Sequence, residues 1–436
     1  MKSKLDNYFG ISRYGSTVGR EFIGGFTTFI TMSYILIVHP KIMEVAGIPF
    51  NASLVATVIS AFFGTMIMGI YAKRPFAIAP YMGENAFIAF TVVKVLGYSW
   101  QQALAAIFIS GVLFTLLTVF RLRAWLANGI PKNMTIAFTV GIGLFLTFIG
   151  LSDSGIVKPG VPGAPVHVGD LTSTEAIFAI LTFLIISILM VLKKNTAIII
   201  GLISITAIGL ITGNINLPEQ IVSMPSGLGE IFWQMDFSGV LTWGFFPVIL
   251  TVLVMDFVDT MGTLIGVSYK AGFLDENGNL PDIEKPMLAD AISTVIAAIL
   301  GTTTAGAFIE SAAGIHAGAR TGLASVFTAF FFLLALFLAP LLSIFPGYAY
   351  GPALIIVGMM MFASVKDLQL NDISELIPAY TIIILMSFTF NMGIGMTAGF
   401  IIYPIMKIIT GKTKEVTPAV WILSAVSMLF FIFYPY

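Results

Sequence analysis

Charged side chains inside long apolar stretches come first, because each is costly in a hydrocarbon environment and marks a candidate functional position. The string MDFVDTMGTLIG places Asp256 and Asp259 three apart, on roughly one face of a helix. GAFIESAAGIHAGARTG carries Glu310 where a short extended piece would pass into a half-helix, and PYMGENAF carries Gly83, Glu84 and Asn85 at the equivalent junction. A helix start offers unpaired N–H groups and partial positive charge, so a carboxylate there is a favoured anion or a strong acceptor. Carboxylate, amide and open backbone together match a planar heterocycle with N–H donors and carbonyl or ring-nitrogen acceptors. Phe308, two residues before Glu310, would supply a face for stacking.

Plainer roles stand beside these. Glu310 and Asp259 can instead satisfy backbone donors, and Asp256 can simply pair with its neighbour. Asn85 can hold the helix break through its own backbone, and Glu84 reads as structural or interfacial. His316 and Arg320 read as a boundary pair at one end of the Glu310 segment, and Asp290, one turn into its run, faces protein.

The elements that must position these residues are set by composition. The 436 residues are 58% hydrophobic and only 10% charged, with a net charge of −1, which describes a chain whose main solvent is lipid. Nucleic acid lacks a basic surface to bind, and no soluble stretch is long enough for a separate enzyme domain. There is no Cys, which excludes disulfides, thiolate metal sites and cysteine nucleophiles; no metal or cofactor is expected. The first apolar run has no cleavage signal behind it and reads as a retained first span, starting at residue 21 and ending at 38.

Apolar runs predict an all-α polytopic membrane protein of about fourteen spans, the run 418–434 being either the fourteenth or an additional one. The segments at 75–96 and 302–318 open with Pro-, Gly- or Thr-rich stretches, so short extended pieces leading into half-helices are expected there. Eighteen of the 21 Lys and Arg residues, Arg121 and Arg123 included, fall on the side of the N-terminus, and only Lys41, Lys94 and Lys158 on the other. The N-terminus is therefore expected inside. Asn85 and Glu310 lie 225 positions apart and later runs recur at a similar offset, which shortens after the fifth run because of a polar insert, Leu151 to Thr174. With an odd number of spans per half, the second copy enters from the opposite side, giving an inverted-topology repeat of the kind found in secondary transporters.

Five strings in this order, GGFTTFITMSYILIVHPKIM, GENAF, DFVDTMGTLIGV, ESAAGIHAGARTGLASVF and PAYTIIILMSFTFNMGIG, resemble the nucleobase:cation symporter-2 superfamily and its AzgA-like branch of adenine, guanine and hypoxanthine permeases over nearly the whole chain. The resemblance implies a seven-plus-seven inverted repeat after a cytoplasmic N-terminus at 1–20. A core domain would hold spans 1–4 (21–120) and 8–11 (243–343), and a gate domain spans 5–7 (131–213) and 12–14 (351–434). It implies purine uptake across the cytoplasmic (inner) membrane by alternating access, with Glu310, Asp259, Asn85 and Gly83 as carried-over site residues; carboxylates buried in such a cavity favour proton coupling, with Glu310, Asp259 and Asp256 as the expected carriers. Thr263 stands where the uracil and xanthine branches often place His, and Glu84 where the purine branch is expected to hold a small or apolar residue. The alternative is a xanthine, uracil or small-anion transporter of the same fold. A homodimer through the gate domain is compatible with the resemblance and is neither demanded nor forbidden by the sequence.

Overall fold

A computed structural model describes residues 2–120, 129–161, 164–242, 245–274 and 280–433; Arg121, Arg123 and the first two residues of the 243–268 run lie outside them. In chain order the elements are α1 (Lys2–Phe9), α2 (Val18–Met32), α3 (Ile35–Val45), α4 (Phe50–Ile70), β1 (Ile78–Pro80), α5 (Met82–Ala86), a π-helix (Phe87–Val95), α6 (Trp100–Val119), α7 (Lys132–Asp153), β2 (Val157–Val161), β3 (Ala164–Val168), α8 (Thr174–Val191) and α9 (Ala197–Ile211). There follow α10 (Leu228–Ile231), α11 (Phe246–Ala271), α12 (Glu284–Leu300), β4 (Ala305–Ala307), α13 (Ser311–His316), α14 (Gly322–Ala335), α15 (Ala339–Ser343), α16 (Gly347–Phe362), α17 (Ile373–Phe388), α18 (Met392–Ile409) and α19 (Pro418–Phe433). Among the described residues nine helical stretches are long and apolar enough to cross a membrane. The remaining apolar runs are shorter helices and the two segments led by β1 and β4.

The first apolar run is longer than the expected 21–38 and is broken. It extends from Val18 to Val45 with a bend at Ser33 and Tyr34. Thr31 and Ser33 turn their hydroxyls back onto the carbonyls of Thr27 and Ile30 at 2.9 and 2.8 Å, and Pro40 lacks an N–H, so the helix ladder is weakened from both sides.

One compact unit comprises residues 1–128, 223–339 and 433–436, in so far as they are described. At its centre β1 and β4 pair antiparallel, Ile78 with Ala307 and Pro80 with Ala305. Corresponding positions of the strands are 227 apart, so the ladder is its own mirror image under the repeat. Tyr81 N–H donates to Thr304 O at 3.0 Å and Phe308 N–H to Ala77 O at 2.9 Å, the same bond drawn twice. All six strand residues are buried, so the outer edges need partners from side chains. Thr65 accepts from Ile78 N–H at 2.9 Å and donates to Ile78 O at 3.0 Å; Thr294 does the same for Ala305 at 3.2 and 3.2 Å. The halves differ at one point. Ala307 N–H is taken by Asp290 Oδ1 at 2.9 Å, whereas its counterpart Pro80 has no N–H to satisfy.

The other unit comprises residues 129–222 and 340–432. Its α7 and α16 meet through glycine. A Cβ on Gly143 would stand 2.6 Å from the Gly358 carbonyl oxygen, and one on Gly150 2.5 Å from that of Gly351, so the backbones can approach this closely only without side chains. These contacts are isologous at an offset of 208. The repeat distance has therefore already shortened from 227 before the fifth run, and the insert at 151–174, which forms the β2–β3 hairpin, is not the cause of that step. On α18, Lys407 is almost fully buried and pairs with Glu375 at 2.7 Å and Glu415 at 2.6 Å.

Candidate functional site

The chain leaves β1 at Tyr81 and enters α5 directly, so Gly83, Glu84 and Asn85 fall in its first turns and are buried. Tyr81 is thus the junction residue, and Asn85 lies one turn inside the helix. In the mirrored segment the chain leaves β4 at Phe308 and α13 begins after Glu310, which occupies the N-cap position without a side-chain capping bond. Its Oε1 instead accepts from the Tyr34 hydroxyl at 2.7 Å, so the capping role is not the one it plays.

Because the strands run antiparallel, the two helix starts lie at opposite ends of the three-residue ladder. The rings that mark them, Tyr81 and Phe308, are 227 positions apart and stack with centroids 6.1 Å apart and planes at 11°. Tyr81 also reaches Thr260 Oγ1 at 3.3 Å. One face of the Phe308 ring is therefore occupied by Tyr81.

Asn85 is fixed from behind. Its Nδ2 lies 2.8 Å from His39 Nδ1, and His39 Nε2 lies 2.7 Å from Thr302 Oγ1. With the amide nitrogen donating, Nδ1 is the acceptor and the ring hydrogen sits on Nε2, directed at Thr302. This orientation leaves Asn85 Oδ1 buried and without a protein hydrogen-bond partner among the described residues. An unpaired acceptor in a buried site is costly and marks a place where a ligand donor would be welcome.

The acids separate by environment. Asp256 is fully buried with Oδ2 3.2 Å from the Thr294 hydroxyl that holds Ala305, which places it against the frame of β4. Asp290 likewise serves β4 and accepts from Thr260 at 2.6 Å. Asp259, three residues on from Asp256, is only partly buried and stands beside the carboxyl of Glu84. Glu84 is fully buried, and no donor among the described residues reaches either of its oxygens. His316 stands at the end of α13, while Arg320 bonds the carbonyls of Ile315 and Ala319 at 2.6 and 2.7 Å, and the Glu21 carboxyl accepts from Arg320 N–H at 3.1 Å.

The residues chosen from sequence thus gather around one ladder in one unit, with two additions from the first segment. Tyr34 and His39 lie five positions apart, about 7.5 Å along a helix, and between them hold a residue of each mirrored half: Glu310 and Asn85. The available signal was two polar side chains set in the apolar run SYILIVHP just before a proline.

Relatives align with nearly the whole chain. The adenine permease AdeP of Escherichia coli (strain K12) is 38% identical over 429 residues, 98% of this chain and 96% of that protein. The guanine/hypoxanthine permease PbuG of Bacillus subtilis (strain 168) is 39% identical over 440 residues, covering 98% of this chain and all of that protein. Among solved structures, the transmembrane domain of a cyanobacterium bicarbonate transporter, BicA, superposes with a TM-score of 0.66 at 16% identity, covering 87% of this chain and 97% of that one. That likeness shows the fold, an inverted-repeat transporter fold. The Permease family matches residues 19–402, and with full-length relatives at this identity the chain belongs to that family, within the nucleobase:cation symporter-2 superfamily.

Proposed function

We propose that the protein takes up purine nucleobases across the cytoplasmic membrane by alternating access, coupled to protons. The observation that carries this reading is the unpartnered Asn85 Oδ1, held in place by His39 beside the Tyr81 and Phe308 rings and within a set of carboxyls. A purine edge presents N–H donors to such acceptors and a flat face to the rings. The relatives named above are permeases for adenine and for guanine and hypoxanthine, which supports the substrate class.

In this reading the core domain is made of spans 1–4 and 8–11 and carries the site, and spans 5–7 and 12–14 form the gate. A proton taken from outside neutralises Asp259 or Glu310, which lowers the cost of moving the site through a low-dielectric environment. The protonated acid donates to the purine, while Asn85 and the other acid accept its N–H groups. Release inside returns the proton. The excess of Lys and Arg on the N-terminal side supports a cytoplasmic N-terminus.

An anion substrate is disfavoured, because Glu84, Asp256, Asp259 and Glu310 make the centre acidic. The test is uptake of labelled hypoxanthine into proteoliposomes with an imposed inward proton gradient, competed by unlabelled adenine, guanine, xanthine, uracil and bicarbonate. Purines are expected to compete and an uncoupler to abolish accumulation while binding in detergent persists. Competition by uracil or bicarbonate alone would overturn the substrate class, and accumulation that survives the uncoupler would remove the coupling.

A further inference from the structure

Glu84 has no place in the scheme so far. It lies in the first turn of α5 with no accessible surface, and none of the described donors satisfies its two oxygens. Its neighbour is another acid, Asp259, reached across the packing of α5 on α11. The other titratable groups around the pair are Asp256 on the same helix as Asp259, Asp290 on α12, the Tyr81 hydroxyl and, beyond Asn85, His39. No Lys or Arg among the described residues acts on Glu84.

Two ionised carboxylates cannot lie in contact in such a place without a cation. Each is an acceptor only, like charges repel strongly where water is excluded, and nothing nearby offsets the sum. One hydrogen between them changes the balance: an O–H···O⁻ bond is among the strongest hydrogen bonds available to side chains, and the pair then carries a single charge.

We propose that Glu84 and Asp259 form a proton-sharing pair in which one hydrogen is resident and a second is the travelling proton of the transport cycle. The singly charged pair takes one H⁺ from outside and becomes two neutral carboxyls; no bond to the purine forms or breaks; the same H⁺ leaves to the inside after the purine. Asp259 is the partly exposed member and takes up and gives up the travelling proton, while Glu84 acts through it as a positioning residue that retains the resident hydrogen. This assignment rests on the proton-coupled reading above and deepens it, since there Asp259 stood alone. It also gives a reason for an acid where the purine branch is expected to hold a small or apolar residue.

The test compares wild type with Glu84→Gln and Asp259→Asn, both close in shape to the native residue, with thermal unfolding in detergent to establish folding. Infrared spectra of the purine-free protein in H₂O and D₂O read the carbonyl stretch of protonated carboxyl groups. The wild type is expected to show at neutral pH the deuterium-sensitive band of a carboxyl hydrogen-bonded to a carboxylate, and in both variants that band is expected to vanish from its wild-type position, because a lone protonated acid absorbs elsewhere. In uptake, Glu84→Gln is expected to shift the pH midpoint toward alkaline values by about one unit or more, because a lone acid titrates between the two steps of a coupled pair. A residue that merely fills space would lower uptake at every pH and leave the midpoint in place. Survival of the band in either variant, or an unmoved midpoint in Glu84→Gln, overturns the proposal. The infrared arm needs no substrate, so a wild type that bears the band but takes up no purine would defeat the transport reading and leave the resident hydrogen standing.

Discussion

The Tyr34 hydroxyl donates to Glu310 Oε1 at 2.7 Å across 276 positions of sequence, and so joins the bend of the first span to the start of the half-helix that opens the second repeat's broken segment. Five residues later His39 does the equivalent for Asn85 in the first repeat. One helix thereby aims a polar group from each half.

Removing the Tyr34 donor should weaken substrate binding without unfolding the protein. A hydrogen bond to a charged acceptor contributes about 1.5–3 kcal/mol, so Tyr34→Phe is expected to raise the apparent Kd for purine about tenfold or more. Equilibrium binding in detergent measures it, and an unchanged Kd would show that Glu310 is aimed by something else.

His39 acts on orientation. With His39→Phe the Asn85 amide loses its anchor and is free to present either its oxygen or its nitrogen to the site. The expected result is a flattened competition profile among adenine, guanine and hypoxanthine, with less loss of uptake than Asn85→Ala causes. A variant that keeps the wild-type order of competitors would refute this.

Asp290 is a structural acid, and its role can be tested against its mirrored counterpart. Asp290→Ala strands the Ala307 N–H in a buried site and should destabilise the fold by about 1–3 kcal/mol. Adding Ala307→Pro removes the stranded donor, as Pro80 does in the first repeat, and should recover part of the loss. Thermal unfolding of the two single variants and the double variant closes the cycle; strict additivity would mean the N–H bond is not what Asp290 provides.

Asp372, at the N-cap of α17, is held below the usual aspartate range by its hydrogen bond to Lys412 at 2.6 Å and those from Ser374. A carboxylate lowered in the folded state stabilises above its unfolded value and ceases to as pH falls through the folded one. The Tm advantage of wild type over Lys412→Ala should therefore be present at neutral pH and shrink below about pH 4. An advantage that grows in acid would reverse the sign and exclude this pair as its source.

What could be read from the sequence follows from range. The broken segments announce themselves locally, in GEN and IES beside proline and glycine, and the two strands sit where those strings place them. Asp259 and Glu310 stand out because charge is rare in apolar runs. His39, Tyr34 and Thr302 were missed because their meaning lies in partners 46 to 276 positions away, and a lone His or Tyr in a span carries no local sign of its partner. Glu84 was visible and read as structural or interfacial, since a carboxyl beside a carboxyl is a relation between α5 and α11 and not a pattern within either. The true repeat distance also needed contacts, because glycine pairs 208 apart and strands 227 apart average to one apparent period.

The stacked rings have a bearing on how the two halves have drifted. Tyr81 lies over Gly306, where any side-chain carbon would collide with the tyrosine oxygen. The position equivalent to Gly306 in the first half is Ala79, and the ring equivalent to Tyr81 is Phe308, which has no oxygen. The first half thus carries both the ring hydroxyl and the methyl and the second half neither, so the duplicated halves, though descended from one plan, are no longer interchangeable parts.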